Sequence, residues 1–368
     1  MEHMINHQEI KTLLCDMQGG CSAFSWETAD KKHLWGRNFD FNRIAQGSKV
    51  TFVPRGTEYN ACGTGADDPN VPENHCRSRY AAVGVGSLLL PTTPILYEGV
   101  NEKGVAGGQL YYRDFAFFPQ EVRPGTAPVQ PPFFVTHALA QCKSLEEIVT
   151  MVEKEITPVG FPVFGTVPTI HWIFTDRTGE TIIIEPDKTG ISVYRNTMGV
   201  MTNSPGYPWH RLNLLNYFNI RNLDYDTLKI NGDMLTQCFS GNGAAGLPGD
   251  WSSPSRFIRL SFLKKYGVKG INEEDGISKM LHLFGSVAFP LGMIEVSQPG
   301  AAGAYDTGVI PYDYTIYTSL TCLESLRFYW TTYENQRVEC VDLTALAQDN
   351  VPAQFDLNRK PDFRYLTK

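Results

Sequence analysis

The chain has 368 residues, 42% hydrophobic and 19% charged, with a formal net charge of -7 at pH 7. This is ordinary globular composition, with length enough for a large core. No basic run points to nucleic acid or an anionic membrane, and no stretch of about eighteen apolar residues provides a transmembrane helix, so neither partner is expected. The 21 Phe, 17 Tyr and 6 Trp supply a core and could also line an apolar substrate pocket.

Residues Met1 to Gly20 carry Glu2, His3, His7, Glu9, Lys11 and Asp16, which leaves no apolar core for a signal peptide. A cytoplasmic protein with a dispensable leader is expected. Eight cysteines occur at irregular spacing, without CxxC or a tight Cys/His cluster. Reduced thiols are therefore expected, and neither a metal nor a cofactor.

The first two strands are the most informative. Gly20-Cys21-Ser22-Ala23-Phe24-Ser25-Trp26 alternates, a polar turn spans Thr28 to Lys32, and a second strand contains Gly36-Arg37-Asn38-Phe39-Asp40-Phe41. A hairpin would bring Arg37 and Asp40 back beside Cys21. A thiol with a cation and a carboxylate in reach fits an activated nucleophile. It fits a structural hairpin with an ion pair equally well.

Lys49 to Val53 is a strand that stops at Pro54, and Tyr59 to Cys76 reads as a loop. Tyr80 to Gly86 is a small-residue strand. Asn101-Glu102-Lys103-Gly104 is a tight hairpin turn that delivers Tyr111 and Tyr112 at the end of the returning strand. Helical periodicity appears at Phe133 to Cys142, and Ser144 with Glu147 makes a capping pair. Strands resume at Thr169 to Phe174, Thr181 to Pro186, Ile191 to Tyr194 and Val200 to Thr202. Helices follow at Trp209 to Tyr217, Pro254 to Tyr266 and Glu273 to Phe284. The last third returns to strands at Thr315 to Cys322, Arg327 to Tyr333 and Arg337 to Val341, ahead of a polar tail after Asp349. Two blocks of strands with helices between them suggest one α+β domain with layered sheets.

Candidate site residues sit at strand ends: Cys21, Arg37, Asp40, Tyr111, Asn203 and Arg256. Asn203 fits either a turn former or an oxyanion donor. Arg256 lies just inside a helix start, where the dipole disfavours a cation, so a carboxylate partner is expected for it. His171 and His210 read as packing or hydrogen-bonding residues. A cysteine nucleophile without a histidine needs another base. Cutting Gly20–Cys21 would supply one, because a free α-amine titrates near pH 8 and would adjoin its own thiol. A glycine before the cysteine would permit the unusual backbone angles that such a cleavage uses.

These residues, with Gly99 to Gly104, Ile184 to Gly190, Met201 to Tyr207, Trp209-His210, Gly246 to Asp250, Ser253 to Phe257 and Tyr314 to Ser319, make the chain resemble the choloylglycine hydrolase and penicillin V acylase family of N-terminal-nucleophile hydrolases. The motifs keep the family's order from Cys21 to about Tyr333. The resemblance implies a four-layer αββα fold over residues 21–368, self-removal of residues 1–20 at Gly20–Cys21, and hydrolysis of a small-molecule amide. It implies Cys21 as nucleophile, its amine as base, Asp40 holding that amine, and Arg37 and Arg256 tuning the charge. Asn203 through its side chain and Tyr111 through its N–H become the oxyanion donors. Tyr111 stands where bile-salt hydrolases commonly carry Asn and penicillin V acylases Tyr, and its ring would wall a phenoxyacetyl group. The expectation is therefore a penicillin V acylase, with a conjugated bile-salt hydrolase as the alternative. Acyl-homoserine lactone cleavage and a non-catalytic binder of amphipathic ligands remain further readings. A leader of twenty residues is long for the family; Met4 and Met17 are alternative starts. A homotetramer is implied, formed partly through Tyr217 to Thr236.

Overall fold

The computed structural model describes residues 20–45, 47–64, 70–88, 93–163, 166–296 and 308–367. Of the expected leader only Gly20 falls among them.

Strands β1 (Gly20–Glu27) and β2 (His33–Phe41) form the anticipated hairpin, with Gly20 opposite Asp40, Cys21 opposite Phe39 and Ala23 opposite Arg37. Alternation turns Phe24 toward a helix layer, where its ring lies 4.5 Å from that of Phe284. It turns Cys21 and Ala23 the other way. β1 and β2 are central in a seven-stranded sheet ordered Val200–Met201, β1, β2, Tyr312–Cys322, Arg327–Thr332 and Glu339–Asp342, with Ile294–Glu295 added beside Tyr312–Cys322.

A second sheet of nine strands packs against the first. Its order is Gly190–Tyr194, Thr181–Asp187, Ile170–Thr175, Ala106–Tyr111, Glu98–Asn101, Ala82–Ser87, Lys49–Val53 and Ala353–Phe355, with Ile95–Leu96 alongside Ala82–Ser87. The turn at Gly104 adopts φ 81°, the left-handed region its glycine was expected to serve. Helices Ser253–Tyr266 and Glu273–Gly285 cover the first sheet, and Phe134–Gln141 covers the second. Two cores result. One fills the space between the sheets and under the first helix pair, and includes Trp35, Leu110, Ile173 and Tyr317. The other lies under Phe134–Gln141 and includes Phe134, Trp172 and Phe174. Burial of each such large side chain contributes roughly 1.5–3 kcal/mol. The layers are helix, sheet, sheet, helix, the four-layer αββα arrangement that the resemblance implies.

Three local expectations need correction. Tyr59 to Cys76 is not all loop: Glu58–Cys62 pairs with Asn74–Arg77 in a small separate ladder. The tail after Asp349 contributes Ala353–Phe355, which pairs with Lys49–Val53 at the edge of the second sheet. Before it stands an unanticipated helix, Leu343–Asp349, capped by the Asp342 side chain.

Candidate active site

Cys21 sits at the start of β1, 6% exposed, with the Gly20–Cys21 peptide intact. Arg37 lies on the same face of the hairpin and reaches it: Nη2 is 2.8 Å from Sγ. The other arm of that guanidinium donates to Glu98 at 3.1 Å and to the Gln109 carbonyl at 2.7 Å. Glu98 is wholly buried, and Tyr317 and Ser319 each donate to it at 3.1 Å. The cation on the sulfur is thus anchored from behind by a carboxylate that itself has three donors. Burial pushes the Cys21 thiol up; Arg37 and Arg256 pull it down, and the Asp40 charge adds to the rise. A thiol raised in this way needs a base to act as a nucleophile.

Asp40 faces the opposite side of the hairpin. Thr315, its register partner, donates to Oδ1 at 2.5 Å, while Oδ2 has no partner among the described residues. Burial raises Asp40 to about 6, against the pull of Arg256, Thr315 and Arg37. Its neighbour Asp313 is raised to about 7 by burial and by Asp40.

Asn203 follows Val200–Met201, which pairs with β1 and so brings the loop to Cys21. Its Oδ1 accepts from the Cys21 backbone N–H at 2.9 Å and from Arg256 Nη2 at 2.7 Å, and its Nδ2 donates to the Tyr111 carbonyl at 2.9 Å. Tyr111 ends strand Ala106–Tyr111. Residues two apart in a strand turn their peptide groups the same way. Gln109 donates its N–H to Tyr97 on the Glu98–Asn101 side of the strand, so Tyr111 presents its own N–H on that side too. The two expected oxyanion donors are therefore neighbours.

Among the described residues Arg256 does not have the direct carboxylate partner its helix position suggested. Its Nη1 donates to the Cys21 carbonyl and the Ser22 hydroxyl, and its Nε to the Trp251 carbonyl at 2.7 Å. Asp40 acts on it only through space, against the burial that lowers its basicity. Gly20 is also used differently from expectation. It has no positive φ; it is an extended strand residue. What requires a glycine is space, since a Cβ there would lie 2.5 Å from the Phe289 ring.

Cys21, Arg37, Asp40, Tyr111, Asn203 and Arg256 thus converge from five segments of chain. Glu98, Gln109 and Thr315 join them without having been foreseen. Glu98 left a trace in the sequence as an acid inside the apolar run Leu96 to Val100, and Thr315 lies in the motif Tyr314 to Ser319 without a role having been assigned to it. Two cavities share Tyr111 as a wall, and the smaller of them is lined by Cys21. A small apolar one, about 20 Å³, has Phe39, Phe41, Tyr97, Leu110, Tyr111 and Ile170 in its walls. A polar one of about 310 Å³ runs past Gly20, Asn203 and Arg256 to Arg113, Glu295 and Asp313. Larger clefts of about 570 and 480 Å³ lie away from these groups. Among the described residues no group of three or more His, Cys, Asp or Glu side chains could hold a metal ion, and no helix is long and apolar enough to cross a membrane.

The chain is similar to several known proteins. The bile salt hydrolase/transferase of Clostridium perfringens is 30% identical over 325 residues, 88% of this chain and 92% of that protein. The protein of the same description from Lactiplantibacillus plantarum is 28% identical over 88% of this chain and 92% of its own length. A crystal structure of a variant of the C. perfringens conjugated bile acid hydrolase superposes with a TM-score of 0.81 at 28% identity, over 94% of this chain and all of that one. Penicillin V acylase from Agrobacterium tumefaciens shares the fold, with a TM-score of 0.66 at 19% identity over 89% of this chain and 87% of that one. Residues 21–353 match the family model described as linear amide C–N hydrolases, choloylglycine hydrolase family, and the chain belongs to that family.

Proposed function

We propose that the chain hydrolyses its amide substrate as an N-terminal-nucleophile enzyme, with Cys21 freed by removal of Met1 to Gly20. One observation carries the reading: Arg37 lies on the Cys21 sulfur while Asn203 Oδ1 takes the Cys21 N–H. In that reading the thiol adds to the substrate carbonyl and its proton passes to the Cys21 amine. The oxyanion is held by Asn203 and the Tyr111 N–H. The C–N bond then breaks, the amine product leaves with that proton, and a thioester remains on Sγ. Water, deprotonated by the Cys21 amine, attacks the thioester and restores the thiol. Asp40 holds the amine, and Arg37 and Arg256 balance the charge.

Conjugated bile salts are the substrate class that the relatives favour. Penicillin V is a second reading, favoured by one feature: Tyr111, with Phe39, Phe41 and Tyr97, makes an aromatic wall beside Cys21. Parallel assays with glycine- and taurine-conjugated cholate and with penicillin V decide between them. Intact-mass measurement on the same sample checks maturation. Faster bile-salt turnover by a chain lacking Met1 to Gly20 is the expected result. A chain that keeps those residues and turns over neither substrate overturns the proposal.

The raised carboxyls predict a pH effect. A buried Asp raised above its usual value stabilises the fold when protonated. That contribution is complete below about pH 4 and is lost as pH rises through the folded value. An uncut Cys21→Ala chain is therefore expected to lose thermal stability between pH 4 and 7. On that background Asp40→Asn should remove part of the loss, roughly 1–3 kcal/mol; Asp313 accounts for more. An unchanged slope in the Asp40→Asn chain contradicts the assignment.

A homotetramer is also proposed. Leu228–Ile230 and Asp233–Leu235 form a ladder exposed throughout, and Phe218, Leu223 and Phe239 are 78%, 71% and 66% exposed beside it. An isolated hairpin with such a surface needs a partner. Light scattering that finds a monomer would contradict this.

A further inference from the structure

The loop that carries Asn203 is gripped by two buried histidines with no part in the chemistry above. His171, in strand Ile170–Thr175, is 1% exposed, and His210, in helix Tyr207–Asn213, is 3% exposed. His171 Nε2 donates to the Thr202 carbonyl at 3.0 Å, and His210 Nε2 to the Asn203 carbonyl at 3.0 Å. Two consecutive carbonyls are thus held by imidazoles from two different elements.

Neither ring is free to drift. Tyr112 stacks on His171 with centroids 4.3 Å apart and planes 6° from parallel, and Phe257 stacks on His210 at 4.4 Å and 16°. Glu185 Oε1 lies 3.3 Å from His171 Nδ1, and both Glu185 oxygens accept from the Tyr207 N–H at the start of the helix bearing His210. The Ser253 hydroxyl accepts from the Asn203 N–H at 2.9 Å. Tyr112 adjoins Tyr111, so the same ring stack supports the strand end that faces Asn203.

Packing alone does not require this arrangement. A hydrogen bond contributes about 1 kcal/mol net, and an apolar ring could fill either space, though it would leave a buried carbonyl without its donor at a cost of about 1–3 kcal/mol. What a directed N–H adds is position. Asn203 Oδ1 is shared between Cys21 N–H and Arg256, so a backbone shift at residues 202–203 displaces the carboxamide from both. A misplacement of about 1 Å at a reacting centre costs on the order of 100-fold in rate.

We propose that His171 and His210 are positioning residues, which act through the Thr202 and Asn203 carbonyls to hold the Asn203 carboxamide against Cys21. This deepens the hydrolase reading and rests on it. His210→Phe keeps the stack on Phe257 and loses the N–H; His210→Gln keeps a donor. For matured enzyme, with active sites counted by alkylation of Cys21, His210→Phe is expected to lower kcat roughly 10- to 100-fold while KM changes by less than about twofold. His210→Gln should recover part of the loss. Leader removal, followed by intact mass, should slow in the same order. If His210→Phe does not fold, His171→Gln against His171→Leu repeats the comparison at the other carbonyl. An unchanged kcat per titrated site in an apolar variant, or no recovery with Gln, overturns the clamp alone. A wild-type chain that keeps Met1 to Gly20 and hydrolyses no amide overturns the hydrolase reading, and the clamp with it.

Discussion

Cys21→Ala is expected to abolish turnover, by at least about 10⁴-fold, and to leave Met1 to Gly20 on the chain. In the proposed mechanism both losses have one cause, because the same sulfur would attack the Gly20 carbonyl during maturation and the substrate carbonyl afterwards. The fold should survive. Cys21 packs in the core between the sheets, and its direct polar contact through sulfur is the one with Arg37. A small apolar side chain there removes modest volume, so the thermal transition should remain cooperative. Cys21→Ser keeps a hydroxyl in place of the thiol and should still process slowly while losing most turnover. Wild-type activity from the Cys21→Ala chain would end the nucleophile assignment. Intact mass and a turnover assay on one preparation provide the check.

Removing Arg37 should be the most damaging change to stability. Its guanidinium is 1% exposed and Glu98 is fully buried, so Arg37→Met leaves an uncompensated carboxylate in the core. Breaking such a pair from one side costs roughly 3–5 kcal/mol. Replacing both partners, as in Arg37→Met with Glu98→Gln, should restore much of that stability, since the desolvated charge is gone. It should not restore the reactivity of Cys21. Without the cation the thiol loses the first of the influences that oppose the effect of burial, so alkylation at neutral pH should slow further. Equal stability of the single and double variants would show that Glu98 is balanced by something other than Arg37. Denaturant melts and thiol-alkylation rates separate the two effects.

The sequence disclosed the hairpin because its signals are local. Period-two alternation, a polar turn and two strands of matched length place Arg37 near Cys21 without knowledge of the fold. It also placed the helix containing Arg256 and the strands leading to Tyr111 and Asn203. The direct contacts of those residues were not readable. Glu98 meets Arg37 across 61 positions and Thr315 meets Asp40 across 275. Neither pairing leaves a spacing pattern. Arg256 satisfies its donors with neutral oxygens, which residue types cannot announce. Strands Glu58–Cys62 and Ala353–Phe355 were missed because their neighbourhoods are rich in Gly, Asn, Asp and Pro, and pairing with distant strands overrides that local preference. Family resemblance supplied the candidate site residues. It did not foresee that steric room against Phe289, rather than backbone freedom, makes position 20 a glycine.

The bond between Thr315 and Asp40 also sets a clock. The carboxylate beside the cleavage point is completed by a residue made 275 positions later. A ribosome adding roughly 5–20 residues per second needs about 14–55 s to cover that distance. Throughout that interval the nascent chain carries Cys21 without the strand that orders its neighbour. Cleavage that depends on the finished site is therefore an event of the released or nearly released chain. If Met1 to Gly20 are removed as proposed, their loss would report that the last third has folded onto the first.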